Sequence, residues 1–132
     1  MEDTLSIKIF SITLDCRNPH ELANFYAALL TWEKGFNDEG WVWVSSSEKY
    51  PFILFQQIAD YTPPVWPEEP EAQQQMAHID FAVNDLEKAI QHAICCGAKI
   101  ATEQISDWRV MLDPAGHPFC LCPKKTIFAT SE

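Results

Sequence analysis

The sequence predicts an α+β fold: two tandem βαβββ modules whose half-sheets form a partly closed sheet around a cleft. Three observations predict it. Apolar periodicity switches twice from the alternation of a strand to the 3.6-residue repeat of a helix. The two occurrences keep one displacement of 67 residues, from Ile12 to Ile79, Trp41 to Trp108, Pro51 to Pro118 and Leu54 to Leu121. Between them lies "DYTPPVWPEEPEAQQQ", whose four prolines read as a linker. Few positions are identical, but a constant register of elements marks an internal repeat. The expected layout is module one over 5–58, a linker over 59–75, module two over 76–123 and a tail over 124–132, together a single domain.

In module one, "IKIFSITLDC" reads as a β-branched strand. "NPHELANFYAALL" reads as a helix with Pro19 at its first position behind an Asn18 cap. Leu22, Phe25, Tyr26, Leu29 and Leu30 fall on one helical face. "WVWVS" and "PFILFQQ" read as strands on either side of a polar turn, Ser46 to Tyr50. In module two, "AHIDFAV" is a strand, and "NDLEKAIQHAICCG" a helix capped by Asn84 or Asp85 and closed by Gly97. "KIATEQI", "WRVML" and "PFCLC" are strands, with Asp113 to Gly116 turning into the last.

Composition sets limits on function. Hydrophobic residues make up 47% and charged residues 21%, as in a soluble globular chain. No apolar run reaches the length of a membrane span, and the first residues lack a secretory pattern. A net charge of −10 with no basic cluster beyond Lys124-Lys125 argues against nucleic acid and anionic membranes. Five cysteines in no disulfide-like spacing point to reduced thiols and a cytoplasmic location.

"LDC" with Asn18-Pro19, "LANFYAALL", "HIDFAVNDLEKA" and "WRVMLDPAGHPFCL" together resemble the vicinal oxygen chelate superfamily. That group includes glyoxalase I, bleomycin-resistance proteins and extradiol dioxygenases. Its glyoxalase-like domain subgroup is the most similar, except that His117 stands where Asn is usual. In metal-dependent members, the first and last strand of each module supply one ligand apiece, usually His, Glu, His, Glu. The resemblance and the repeat register together put Ser11, Ile53, His78 and Cys120 at those positions.

Only His78 and Cys120 of these four ligate well, and Ile53 cannot ligate; Asp80 or Asp15 would add a carboxylate only if it points inward. The expectation is therefore no metal and no cofactor. Cys120 as a nucleophile with His78 as base and Asp80 as orienter is a weaker reading, because no donor loop for an oxyanion is evident. Strand alternation turns Trp41, Trp43 and Phe55 towards the cleft, with Trp108 the register partner of Trp41. With Ser11, Thr13, His78 and Asp80 as polar points, these describe a pocket for a flat or cationic small molecule.

The expected function is metal-free small-molecule binding. The alternative is a metal-dependent lyase, isomerase or dioxygenase with an atypical ligand set. A third reading, an interaction module using the linker and "KKTIFATSE", has no positive signal. Trp66 is expected to cap the pocket or a subunit contact, Cys95-Cys96 to be packing residues, and the face of Arg109 is left open. A homodimer is expected, partly from the resemblance.

Overall fold

The computed structural model describes residues 4–104 and 107–124. Ile105, the end of an expected strand, and the expected tail beyond Lys124 lie outside them. Two compact units divide at Ile58. Each is a βαβββ module with its own open four-stranded sheet, and neither sheet closes on itself.

Unit one runs β1 (Ser11–Cys16), α1 (Pro19–Leu30), β2 (Glu33–Phe36), β3 (Val42–Ser45) and β4 (Phe52–Gln57). Sheet order is β1-β4-β3-β2, with β1 parallel to β4 and the other pairs antiparallel. Asn18 starts α1 by accepting the Glu21 N–H at 3.1 Å, as its position before Pro19 predicts. Leu22, Phe25 and Tyr26 are buried, and the Tyr26 ring stacks on Phe55 at 5.8 Å. Paired strand residues share a face, so Val42 opposite Phe55 and Val44 opposite Ile53 fix the side that α1 covers. Each large apolar side chain sealed there contributes about 1.5–3 kcal/mol.

Unit two runs β5 (Ile79–Val83), α2 (Leu86–Cys96), β6 (Lys99–Ile100), β7 (Arg109–Leu112) and β8 (Pro118–Pro123). Order and sense repeat: β5-β8-β7-β6, with β5 parallel to β8. Asp85 caps α2 through the Lys88 N–H at 3.1 Å. Strand β8 is central and buried on both faces. One face, Phe119 and Leu121 with Met111, belongs to the α2 side. The other, Cys120 and Cys122 with Val110 and Ala101, is a separate core cluster covered by Trp66, Trp108 and Leu112. Trp66 comes from the proline-rich segment, which is therefore a strap of unit two.

The register differs from the sequence reading by one residue. Ile12 pairs with Ile53, yet its repeat partner Ile79 pairs with Phe119 and not Cys120. The cause is the last connection: Ser46–Pro51 joins β3 to β4, whereas the shorter Asp113–His117 joins β7 to β8. A one-residue change in a period-two structure exchanges the two faces. Strand lengths also differ: β1 begins at Ser11, not at Ile7, and β6 has two residues. No helix among the described residues is long and apolar enough to cross a membrane.

Gly35 tests the face assignment in unit one. A Cβ there would stand 2.5 Å from the Trp43 indole, so Trp43 lies flat across β2 on the side away from α1. Gly35→Ala should cost about 1–3 kcal/mol in urea unfolding, and much of that should return in the Gly35→Ala, Trp43→Ala double variant. An additive double variant contradicts the assignment.

Candidate functional site

The open face of unit two carries the converging donors. β5 places Asp80 directly opposite Cys120 of β8, and His78 stands two residues before Asp80 on the same side. His78 Nε2 lies 3.0 Å from Asp80 Oδ1. The imidazole, carboxylate and thiol donors all lie within 4.8 Å of one another. His78 and Asp80 are exposed, while Cys120 is 5% exposed. Burial, then the Asp80 charge and its hydrogen bond, then Cys122, push the Cys120 thiol up to about 12. Burial and Asp80 push Cys122 up to about 11.

That order of contacts matters chemically. The carboxylate contacts both imidazole and thiol, and its charge together with burial disfavours the Cys120 thiolate. A cysteine nucleophile needs the opposite. As a cation site, the three donors have the type and spacing that a borderline metal such as zinc takes from a protein, with a fourth position free. Thiolate ligation would require the Cys120 proton to leave.

Unit one differs at every matching position. Ser11, Thr13 and Leu54 stand where unit two has His78, Asp80 and Cys120. Ser11, Thr13 and Trp43 share the face of that sheet opposite α1. Ile53 and Phe55 do not: both are buried against α1, opposite Val44 and Val42. Their expected place on the ligand face is corrected by the register, which makes Leu54 the counterpart of Cys120. Trp41 precedes β3 and is exposed. Trp108 precedes β7 and packs on the Cys120 cluster. Arg109 sits opposite Leu121, on the α2 side. Cys95 is exposed rather than packed, and Cys96 lies 3.8 Å from His92.

His117 has a different task. Asp113, a buried carboxylate, accepts the backbone N–H of Ala115 at 2.8 Å and of His117 at 3.0 Å through Oδ1. Its Oδ2 takes His117 Nδ1 at 2.8 Å. His117 Nε2 faces the Tyr61 hydroxyl at 3.4 Å, and that hydroxyl donates to Ala115 O at 2.7 Å. At Gly116, φ is +94° and a Cβ would meet Pro63 at 2.9 Å, so only glycine fits beneath the strap. The histidine of "DPAGHPF" thus fastens the strap to the β7–β8 turn.

Sequence reasoning missed Asp113 and Tyr61, and gave Trp66 a capping role without the face that it covers. An Asp four residues before a His in a Pro-Ala-Gly turn was a usable signal for the first. Nothing local marks which face a lone tryptophan among prolines will cover. A separate open hollow of about 490 Å³ lies against Asn84, Asp85, Lys88 and Lys124. It shares no residue with the donor set.

Residues 11–122 match the glyoxalase-like domain family. The chain belongs to that family. Solved structures similar to this glyoxalase-like domain include the trypanothione-dependent glyoxalase I of Leishmania major, at 17% identity, TM-score 0.67, covering 96% of this chain and 93% of that one. Another is the fosfomycin resistance protein FosX of Mesorhizobium loti, at 11% identity, TM-score 0.64 and full coverage of both. A third is TnmS3, an antibiotic binding protein from Streptomyces sp. CB03234, at 11% identity, TM-score 0.60, covering 92% and 98%. These likenesses are of fold. A comparison with curated protein sequences finds no match.

The raised thiols set a sign for alkaline stability. Cys120 and Cys122 hold their protons to about 12 and about 11, against an ordinary 9.0. The unfolded chain therefore releases them first, and stability present below about pH 9 is lost as pH rises towards 12. The urea midpoint should fall more steeply between about pH 8 and pH 11 in the wild type than in Cys120→Ala. Equal slopes contradict the assigned environment.

Proposed function

We propose that this glyoxalase-like domain binds a small organic molecule on the open face of unit two, with no resident metal or cofactor. The observation that carries the reading is a charged group at the edge of an apolar floor. Asp80, held by His78 at 3.0 Å, lies by Cys120, a member of the cluster on which Trp66 and Trp108 pack, the make-up of a small-ligand site. A net charge of −10 favours a cationic ligand. The likeness to an antibiotic binding protein supports binding without turnover.

The second reading is enzymatic, and the three-donor spacing favours it. His78 Nε2, an Asp80 oxygen and Cys120 Sγ would hold the ion, which would supply Lewis acidity to a lyase or isomerase, or redox chemistry to a dioxygenase. Two measurements separate the readings. Elemental analysis of protein purified without chelators should find no stoichiometric Zn, Ni, Mn or Fe. Titration with a library of aromatic cations should change tryptophan fluorescence, and Asp80→Asn should weaken the hit about tenfold. Stoichiometric metal lost in His78→Ala reverses the ranking.

The reading also includes a homodimer in a reducing compartment. No disulfide joins any of the five cysteines. Leu5 and Ile7 are 83% and 84% exposed, and Ile9 and Met76 are also exposed. Thr4–Phe10 forms no ladder within the chain, and antiparallel pairing of two copies about Ile7 would oppose Leu5 to Ile9. Sedimentation should give a dimer that Ile7→Lys converts to monomer; a monomeric wild type rejects this part of the proposal.

A further inference from the structure

The strap of unit two is fastened to the β7–β8 turn just upstream of Trp66. Upstream, Tyr61 donates to Ala115 O at 2.7 Å and Pro63 packs over Gly116. Within the strap, the Val65 N–H donates to Gln73 O at 2.9 Å and closes a loop that contains Trp66. The Trp66 indole rests on Ala101, Val110, Cys120 and Cys122. The indole Nε1–H donates to Glu103 O at a long 3.3 Å. The floor is almost fully buried, but the indole itself is only partly so. Cys120 belongs both to this floor and to the cluster with Asp80 and His78. A partly exposed indole therefore packs on an apolar cluster that shares Cys120 with a half-exposed carboxylate.

We propose that Trp66 occupies the seat of the ligand. The site then takes a flat aromatic amine of about indole size, and binding lifts Trp66 off Cys120 and Cys122. This rests on the binding reading above and names its ligand class. The seat accommodates an indole because it holds one. Asp80 supplies the charge that distinguishes an amine from a neutral or anionic analogue. Part of the affinity is spent displacing the strap, so the free protein binds more weakly than a strap-opened one.

The probes are tryptamine, indole and indole-3-acetate, titrated by calorimetry into wild type, Trp66→Ala and Asp80→Asn. Trp66→Ala should bind tryptamine about tenfold more tightly than wild type, indole less tightly, and indole-3-acetate not at all. Asp80→Asn should bring tryptamine down to the level of indole. Equal tryptamine affinity in wild type and Trp66→Ala makes Trp66 a packing residue and overturns the proposal, while the binding reading stands. No binding of the three probes by folded Trp66→Ala also overturns it; the binding reading falls too only if the wider library gives no hit. Fluorine NMR of wild type labelled with 5-fluorotryptophan covers the case in which Trp66→Ala does not fold. With the Trp66 signal assigned by Trp66→Phe, tryptamine should move that signal, and an unmoved signal at the highest tryptamine concentration overturns the proposal.

Discussion

The parallel pairing of β5 with β8 puts Asp80 opposite Cys120. The rest of the site follows from that register. His78, two residues earlier, reaches the same carboxylate. Cys122, two residues later, joins Cys120 on the floor under Trp66. A slip of one residue would send both cysteines to the α2 side and bring Phe119 and Leu121 out. The slip is resisted from both faces, because β8 is buried on each. It is resisted at the turn as well, where Asp113 binds two backbone N–H groups and His117.

Much of the fold was legible because its causes are local. Asn18 and Asp85 cap helices for reasons contained in a few residues, and α1 turns its apolar face inward as its spacing requires. The repeat was legible too, since Ile12 and Ile79, and Trp43 and Val110, hold equivalent places. The site was half legible. His78, Asp80 and Cys120 follow from strand alternation within one module. Ile53 and Phe55 were misplaced because their position was carried across a connection that is one residue shorter in unit two. Constant displacement gives no warning of that, since Pro51-Phe52 and Pro118-Phe119 still align by letter. The face that Trp66 covers was illegible because its seat is made of residues far along the chain.

The two units have diverged in chemistry while keeping topology. Unit one offers two hydroxyls and a leucine where unit two offers imidazole, carboxylate and thiol. The same contrast appears in covering. β8 is roofed by the strap, whereas Phe52 and Leu54 of β4 are only half-buried on their open side. Unit two thus carries a defined apolar floor with one charged edge, and unit one a broader surface lined by Trp43. Polar groups near a buried floor must be paired or they destabilise it. In unit two His78 and Asp80 pair with each other at the rim.

A crystal structure of protein purified without chelators tests the central claim most directly. The account predicts Asp80 in contact with both His78 and Cys120, with the His78 contact near 3.0 Å, Trp66 seated on Cys122, and no ion among the three donors. An anomalous peak coordinated by them, or Cys120 turned towards α2, would contradict it.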